Sequence, residues 1–518
     1  MFNKNIHTTL YFVGLSIIAL FMPLSEYVTN ATQIFIITNW LLELDFKNKI
    51  RKLWENKNII IFILLFIIPV IWLINTDNMN YALSDIRIKL PLLALPIIIG
   101  TSEALAEKRI NIILISFVSG VFISTLFGIL AYNHIIIDVD TDNVRNLSIF
   151  VSHIRLSLML CLSILIICYW SYHRTFRRKI FLVISAVLIL WFIYFLSLIQ
   201  GFTGIVSLIV VSFVVLMRLA FRTKNTKLKI LYLSLLILAP MMIIAYLGLQ
   251  VRNFYNPTQK QEIGEKTHTS RGNLYWNDYD SRLIENGNLI YRNISGIELE
   301  EEWPKRSDFD LNGYDKKGQE IFHTLIRYLT SKGLTKDADG LGSLSDQDIR
   351  NIENGEANYK FASTKSLNQR IYITIWQLDV YIKGGNPSGH SITQRIEYQK
   401  VGLELFKRNL LFGTGTGDVD DEFKALYDEL KSPLSNEYRH RTHNQFLTFF
   451  ISFGIIGGTI CLFAWFYPAI TGWDSKNYFF LIFFLIATIS MITDDTLETT
   501  TGVVFCSYFY SLFLWGKK

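Results

Sequence analysis

Tyr438-Arg439-His440-Arg441-Thr442-His443-Asn444-Gln445-Phe446-Leu447, continued by Thr448-Phe449-Phe450-Ile451-Ser452-Phe453-Gly454-Ile455-Ile456-Gly457-Gly458, marks the point where a long polar segment gives way to an apolar one. Two arginines and two histidines therefore meet what reads as a membrane boundary, where cations also serve as plain interfacial anchors. A helix starting near Thr442 and running through Gly457 and Gly458 is expected to enter a bilayer with His443 and Asn444 in its first turn. Gly454, Gly457 and Gly458 would let a neighbouring helix approach closely.

The rest of the chain agrees with a membrane setting. Its 518 residues are 51% hydrophobic with mean hydropathy +0.30, too apolar for a soluble globular protein and too charged to be membrane throughout. Spans of roughly 17 to 25 residues read near 8–24, 28–44, 58–75, 86–101, 110–132, 151–170, 179–196, 201–217 and 230–249. Three more follow a long polar segment, near 443–466, 477–493 and 500–515. The expectation is an all-α polytopic membrane protein of about twelve helices, organised as 1–249 (nine spans), 250–441 (a mainly helical external segment) and 442–518 (three spans).

Lys and Arg near span ends are retained in the cytoplasm. Basic loops carry Lys47 to Lys57, Lys108 and Arg109, Arg174 to Lys179, Arg218 to Lys229, and Lys517 and Lys518. The intervening loops carry Glu26, Asp77, Asp138, Asp140, Asp142, Asp494, Asp495 and Glu498. Both ends are thus expected inside and the polar segment outside. That segment holds 26 Lys/Arg against 29 Asp/Glu, a net of −3, and the remaining 24 and 15 give +9. Basicity reports topology, and no nucleic-acid partner is implied. All four cysteines fall within spans, so the external segment folds without disulfides and no cysteine metal site is expected. The first apolar stretch lacks a small-residue cleavage site, so it reads as a retained helix.

Charged residues at the expected outer boundary are the candidates for chemistry. Arg87 and Lys89 precede Pro91, and Ser152-His153-Ile154-Arg155 opens the sixth span with Arg155 between apolar neighbours, a placement that favours the bundle interior. Gln200-Gly201-Phe202-Thr203-Gly204 links two spans as a tight hairpin that either dips into a cavity or simply packs. In the external segment helical patterns read near 319–332, 345–354, 366–383 and 391–412. The last carries Ile392, Ile396, Leu403, Phe406 and Leu410 on one stripe, Ser391 or Thr393 at its start, Arg395 in its first turn and Gly413 as its stop. Gly413-Thr414-Gly415-Thr416-Gly417-Asp418 reads as a flexible connection. Asp337 to Asp348, and Asp308 to Gly313, partly match calcium-loop spacing, but turn chemistry and helix capping explain both. Asn293-Ile294-Ser295 fits a glycosylation acceptor. No phosphate-cradling or dinucleotide motif appears, so nucleotide use is not indicated.

Arg441-x-His443-Asn444-x-x-Leu447 followed by Phe453-Gly454-Ile455-Ile456-Gly457, with Gly389 to Tyr398 and Leu411 to Asp418, resembles the O-antigen ligase and polymerase superfamily. Arg327 to Leu334 resembles the ligase-like proteins of Bacteroidota. The likeness covers roughly Arg271 to Gly458, and the earlier spans match by layout only. It implies a GT-C type glycosyltransferase of the bacterial inner membrane. Such an enzyme takes a glycan from undecaprenyl pyrophosphate and passes it to an acceptor at the periplasmic face, without cofactor or obligatory metal. By this resemblance His443 corresponds to the catalytic histidine, and Arg395 and Arg155 to functional arginines. Gly201 and Phe202 stand where many members carry Ser-Arg, which removes one expected cation.

Loss of a lipid pyrophosphate needs cations in a dry site, and arginine forks suit phosphate oxygens. Arg87, Lys89, Arg155, Arg395, Arg439 and Arg441 are the candidates, with His443 as base for the acceptor hydroxyl and Asn444 for positioning. Single-step displacement inverts the anomeric centre, since no acidic nucleophile is apparent near His443. The leading reading is an O-antigen ligase acting on lipid A-core. The alternatives are an O-antigen polymerase, a protein O-oligosaccharyltransferase or, outside enzymes, a transporter of the lipid-linked glycan.

Overall fold

A computed structural model describes residues 4–136, 144–173, 179–256, 264–361, 367–474 and 477–517. Asp138, Asp140, Asp142, Arg174, Arg177, Arg178 and Lys518 lie outside the described residues.

The chain is an all-α polytopic membrane protein with almost no sheet. Among the described residues seven helices are long and apolar enough to cross a membrane: Lys57–Asn75, Glu107–Tyr132, His153–Tyr172, Lys179–Leu198, Phe202–Arg222, Thr226–Tyr255 and Gln445–Thr471. Asn5–Phe21, Tyr478–Thr493 and Thr500–Leu514 are shorter apolar helices. The expected fourth span is two helices, Met79–Lys89 and Pro91–Thr101. They meet at Pro91, which has no N–H to give and interrupts the hydrogen-bond ladder.

Two compact units emerge, Met1–Lys229 with Gln394–Lys518, and Ile230–Thr393. Residues 394–441, expected in the external segment, therefore belong to the unit that holds most of the apolar helices. That unit's core is a continuous apolar body in which His153–Tyr172 and Thr500–Leu514 are buried along most of their length. The Gly201 hairpin is packing: a Cβ on Gly201 or Gly204 would meet Ser157 Cβ at 2.8 or 2.6 Å, and Cys161 Sγ donates to the Gly204 carbonyl (2.9 Å).

The second unit contains a small domain around Trp303, Ile321, Leu325, Leu329 and Ile352. Its helices Ile321–Ser331, Asp346–Glu353 and Leu367–Ile382 fall where their apolar spacing predicts. Buried Glu285 takes both Nε and Nη2 of Arg327 (3.0 and 2.9 Å) on one oxygen, and Tyr372 and Asn358 (2.7 and 2.6 Å) on the other. The calcium-like stretches are caps and turns. Asp337 caps the helix Ala338–Gly342 through Gly340 N (2.7 Å), Ser345 and Asp348 form a capping box, and Asp310 accepts from Asn312 N (3.0 Å). Asn293 is buried with its amide donating to Gly264 O (2.8 Å), which withdraws it from glycosylation.

Two expectations are overturned. Helix Gln445–Thr471 does not run straight through its glycines, because Gly454 has φ +61 and ψ −167. Residues 445–453 fold back on 455–471, so that Phe446 stacks on Phe466 with ring centroids 5.9 Å apart. In a straight helix, residues twenty apart would lie about 30 Å from each other. Nor is Gly413 to Asp418 flexible, since this stretch fills the break. Ile455 N donates to Leu410 O (2.8 Å), Thr414 N to Ile451 O (2.9 Å) and Gly415 N to Ser452 O (2.9 Å). Asp418 accepts from Asp77 N and Asn78 N (2.9 and 2.7 Å). Glycine is required because a Cβ on Gly413 would stand 2.5 Å from the Gly454 nitrogen, and one on Gly454 would stand 2.3 Å from the Leu411 carbonyl.

Gly454→Ala is expected to lower the stability of the detergent-solubilised protein by more than about 1 kcal/mol through the left-handed backbone alone. Gly248→Ala, where a Cβ meets nothing within 4 Å, should leave thermal unfolding within error of the parent.

Candidate active site

His443 occupies a turn rather than the first helical turn. Its φ is +49, and Asn444 is the N-cap, accepting from Phe446 N and Leu447 N (both 3.1 Å). The strained turn is held from below by the loop between Tyr478–Thr493 and Thr500–Leu514. Asp495 accepts the His443 N–H (3.0 Å) and the Thr448 hydroxyl (2.7 Å). Asp494 Oδ1 lies 2.9 Å from His443 Nδ1. Nδ1 must carry a proton to donate there, which leaves the Nε2 lone pair available. Nε2 has no hydrogen-bond partner among the described residues, and the side chain is 32% exposed. Tyr398 flanks the ring at 5.5 Å and His440 at 6.3 Å.

An acid therefore does stand beside His443, contrary to expectation, and it faces the Nδ1 edge. Asp494 is fixed on its other side by Arg155, whose Nη1 lies 2.8 Å from Oδ2. Arg155 Nε also donates to Thr499 (3.1 Å) and Nη2 to the Asp495 carbonyl (3.2 Å). Burial raises the cost of ionising Asp494, but the His443 hydrogen bond and the Arg155 and Arg395 charges outweigh it and hold the carboxyl well below the usual range. Burial pushes Asp495 up, and burial, with His443 close by, pushes His440 down.

The predicted cations are not gathered into one clamp. Arg395 is half-buried on helix Ser391–Arg408. It forms no hydrogen bond or ion pair among the described residues, yet lies within electrostatic reach of Asp494, His153 and Arg145. Arg145, on the turn Val144–Leu147, was not anticipated from the sequence. Burial and the nearby Arg395 charge lower its pKa. Lys89 and Arg441 are instead neutralised within the fold. Lys89 binds Asp85 (2.6 and 2.7 Å) and Glu498 (2.8 Å). Arg441 binds Asp420, Tyr81 and Glu498, the last at 3.3 Å. Arg439 binds Asp428 and the Leu434 carbonyl (3.0 Å). Arg87 is exposed and has no ion pair among the described residues.

Geometry and topology define a multi-pass helical membrane protein with a carboxylate-oriented histidine at one end of its bundle, and with Arg395 near by in no ion pair among the described residues. Residues 343–463 match the family model described as O-antigen ligase, which supports membership of the O-antigen ligase superfamily. The matched stretch contains Arg395, Arg439, Arg441, His443 and Asn444, while Arg145, Arg155 and Asp494 lie outside it. No curated protein matches the chain.

Because the Asp494 carboxyl is depressed, its contribution to stability is complete above the ordinary aspartate pKa of about 3.9 and is lost as pH falls through the folded value. The difference in melting temperature between the parent and Asp494→Asn should shrink as pH falls below about 4. A difference that instead grew in acid would mean that Asp494 is not held ionised by these partners.

Proposed function

We propose that this protein is a metal-independent, inverting glycosyltransferase. It moves a glycan from undecaprenyl pyrophosphate to lipid A-core at the periplasmic face of the inner membrane. The carrying observation is His443, oriented through Nδ1 by Asp494 with Nε2 left free, with Arg395 within electrostatic reach of the same Asp494 and in no ion pair among the described residues. The loop asymmetry in Lys and Arg supports the orientation, and the family match supports the substrate class.

In this reading Nε2 takes the proton of the acceptor hydroxyl as the hydroxyl oxygen bonds to the anomeric carbon. The bond from that carbon to the pyrophosphate oxygen breaks, and the electron pair leaves with undecaprenyl pyrophosphate. Arg395 balances the departing charge, where a preorganised donor is worth about 2.7 to 4 kcal/mol. Arg155 acts through Asp494. Lys89, Arg441 and Arg439 hold the framework.

Purified protein given carrier-linked glycan and lipid A-core should yield glycan-bearing core, resolved on a gel, and addition of EDTA should not reduce it. His443→Ala should slow transfer by at least about a hundredfold, and Arg439→Gln should leave it within about twofold. Product in which glycan has joined another carrier-linked glycan would identify a polymerase, and glycan on protein hydroxyls an oligosaccharyltransferase. Translocation that survives His443→Ala without any transfer product would identify a transporter. A retained anomeric configuration in the NMR spectrum of the product would overturn the single-step mechanism.

A further inference from the structure

Helix Ser391–Arg408 and the turn that follows it do not bury the stripe their sequence advertises. Tyr398, Val401 and Leu405 face the core, whereas Leu403 and Leu410 are exposed. Leu411 and Phe412 are 57% and 58% exposed, and beside them Ile74 is 92% exposed, with Ile455 and Ile456 also open. Leu410, Leu411, Phe412, Ile74, Ile455 and Ile456, six exposed apolar residues from three stretches of chain, are thus brought near one another around the Gly454 break.

The height of this group in the bundle is fixed by hydrogen bonds. Trp72 Nε1 donates to Phe412 O (2.6 Å) and Asn75 Nδ2 to Gly413 O (3.2 Å). Lys57–Asn75 has 19 residues, a length of about 28 Å against a hydrocarbon thickness of about 30 Å. At its far end, Thr471 donates to Asn58 (3.0 Å), so residues 455–471 run beside the same span. The Phe412 carbonyl is therefore held three residues inside the end of a segment that matches the bilayer core. Three carbonyls of the turn are taken up inside the protein, that of Leu410 by Ile455 N, that of Phe412 by Trp72 and that of Gly413 by Asn75. Lys407 and Arg408 come just before the wedge, where headgroup phosphates would lie.

We infer that Leu410, Leu411 and Phe412 form a membrane-inserted wedge whose partner is the lipid acyl chains of the leaflet at the His443 end of the bundle. A stretch that reads as part of an aqueous segment is, by this inference, lipid-facing. The inference is independent of the proposed reaction.

The test uses the full chain in nanodiscs of phosphatidylethanolamine and phosphatidylglycerol, with exposed Cys168 replaced by Ser. Nitroxide is attached at Leu411→Cys or Phe412→Cys, with Leu190→Cys as lipid reference and Lys424→Cys as water reference. Collision with oxygen should exceed collision with a water-soluble nickel chelate at 411 and 412, as at 190, and the order should reverse at 424. Label at Leu410→Cys gives the same reading if either site disturbs folding. Preference for the nickel chelate at 411 and 412 would overturn the wedge. Exclusion of both reagents would also overturn it and would point to a protein partner covering the patch.

Discussion

Ionised carboxylates at the end of an apolar bundle are unfavourable unless cations are brought to them, and the loop 494–499 carries three acids. Asp494 is held by Arg155 and His443, and Glu498 by Lys89 and Arg441. Asp495 is satisfied by the His443 amide and Thr448. Burial opposes ionisation of Glu498, and the charges of Lys89 and Arg441 overcome it. Gln445 ties this loop to the start of its own helix by donating to Glu498 (2.9 Å) and accepting from Leu497 N (2.7 Å). The loop thus joins helices distant in sequence and fixes the imaginary line along which His443 can point. It also consumes most of the cations in reach, so the ones left over, Arg395 above all, stand out as available to a ligand.

A second constraint comes from backbone meeting backbone. Gly413 and Gly454 have no side chains, and each takes a left-handed conformation that glycine adopts freely. The turn 410–415 then supplies the hydrogen bonds that the broken helix would otherwise lack. Broken helices at membrane depth are tolerated when another segment satisfies the freed groups. The break lets 445–453 fold over the bundle, placing the capped start of that helix, and His443 with it, against the loop 494–499.

Much of this was legible in the sequence and some was not, for identifiable reasons. Hydrophobic runs located the apolar helices, and apolar spacing located Ile321–Ser331 and Asp346–Glu353, because a helix must repeat its buried face every turn. The Gly413 to Gly417 repeat was misread as flexibility. Glycine marks both loose chain and close contact, and only the partner backbone distinguishes them. The stripe on Ser391–Arg408 located that helix but not what covers it: Phe406 packs against the core while Leu403 and Leu410 are exposed, and spacing alone does not separate the two.

Residue type and order by themselves determined the membrane class, the boundary at which His443 lies and the pool of cations from which a site could be drawn. Tertiary structure alone decided which of those cations are paired within the fold, that Asp494 orients His443, and that Arg145 lies near Arg395. Some of the deciding partners are far apart along the chain, Asp494 51 residues from His443 and Tyr81 360 residues from Arg441. Electrostatic pairing depends on distance in space, which local pattern does not encode.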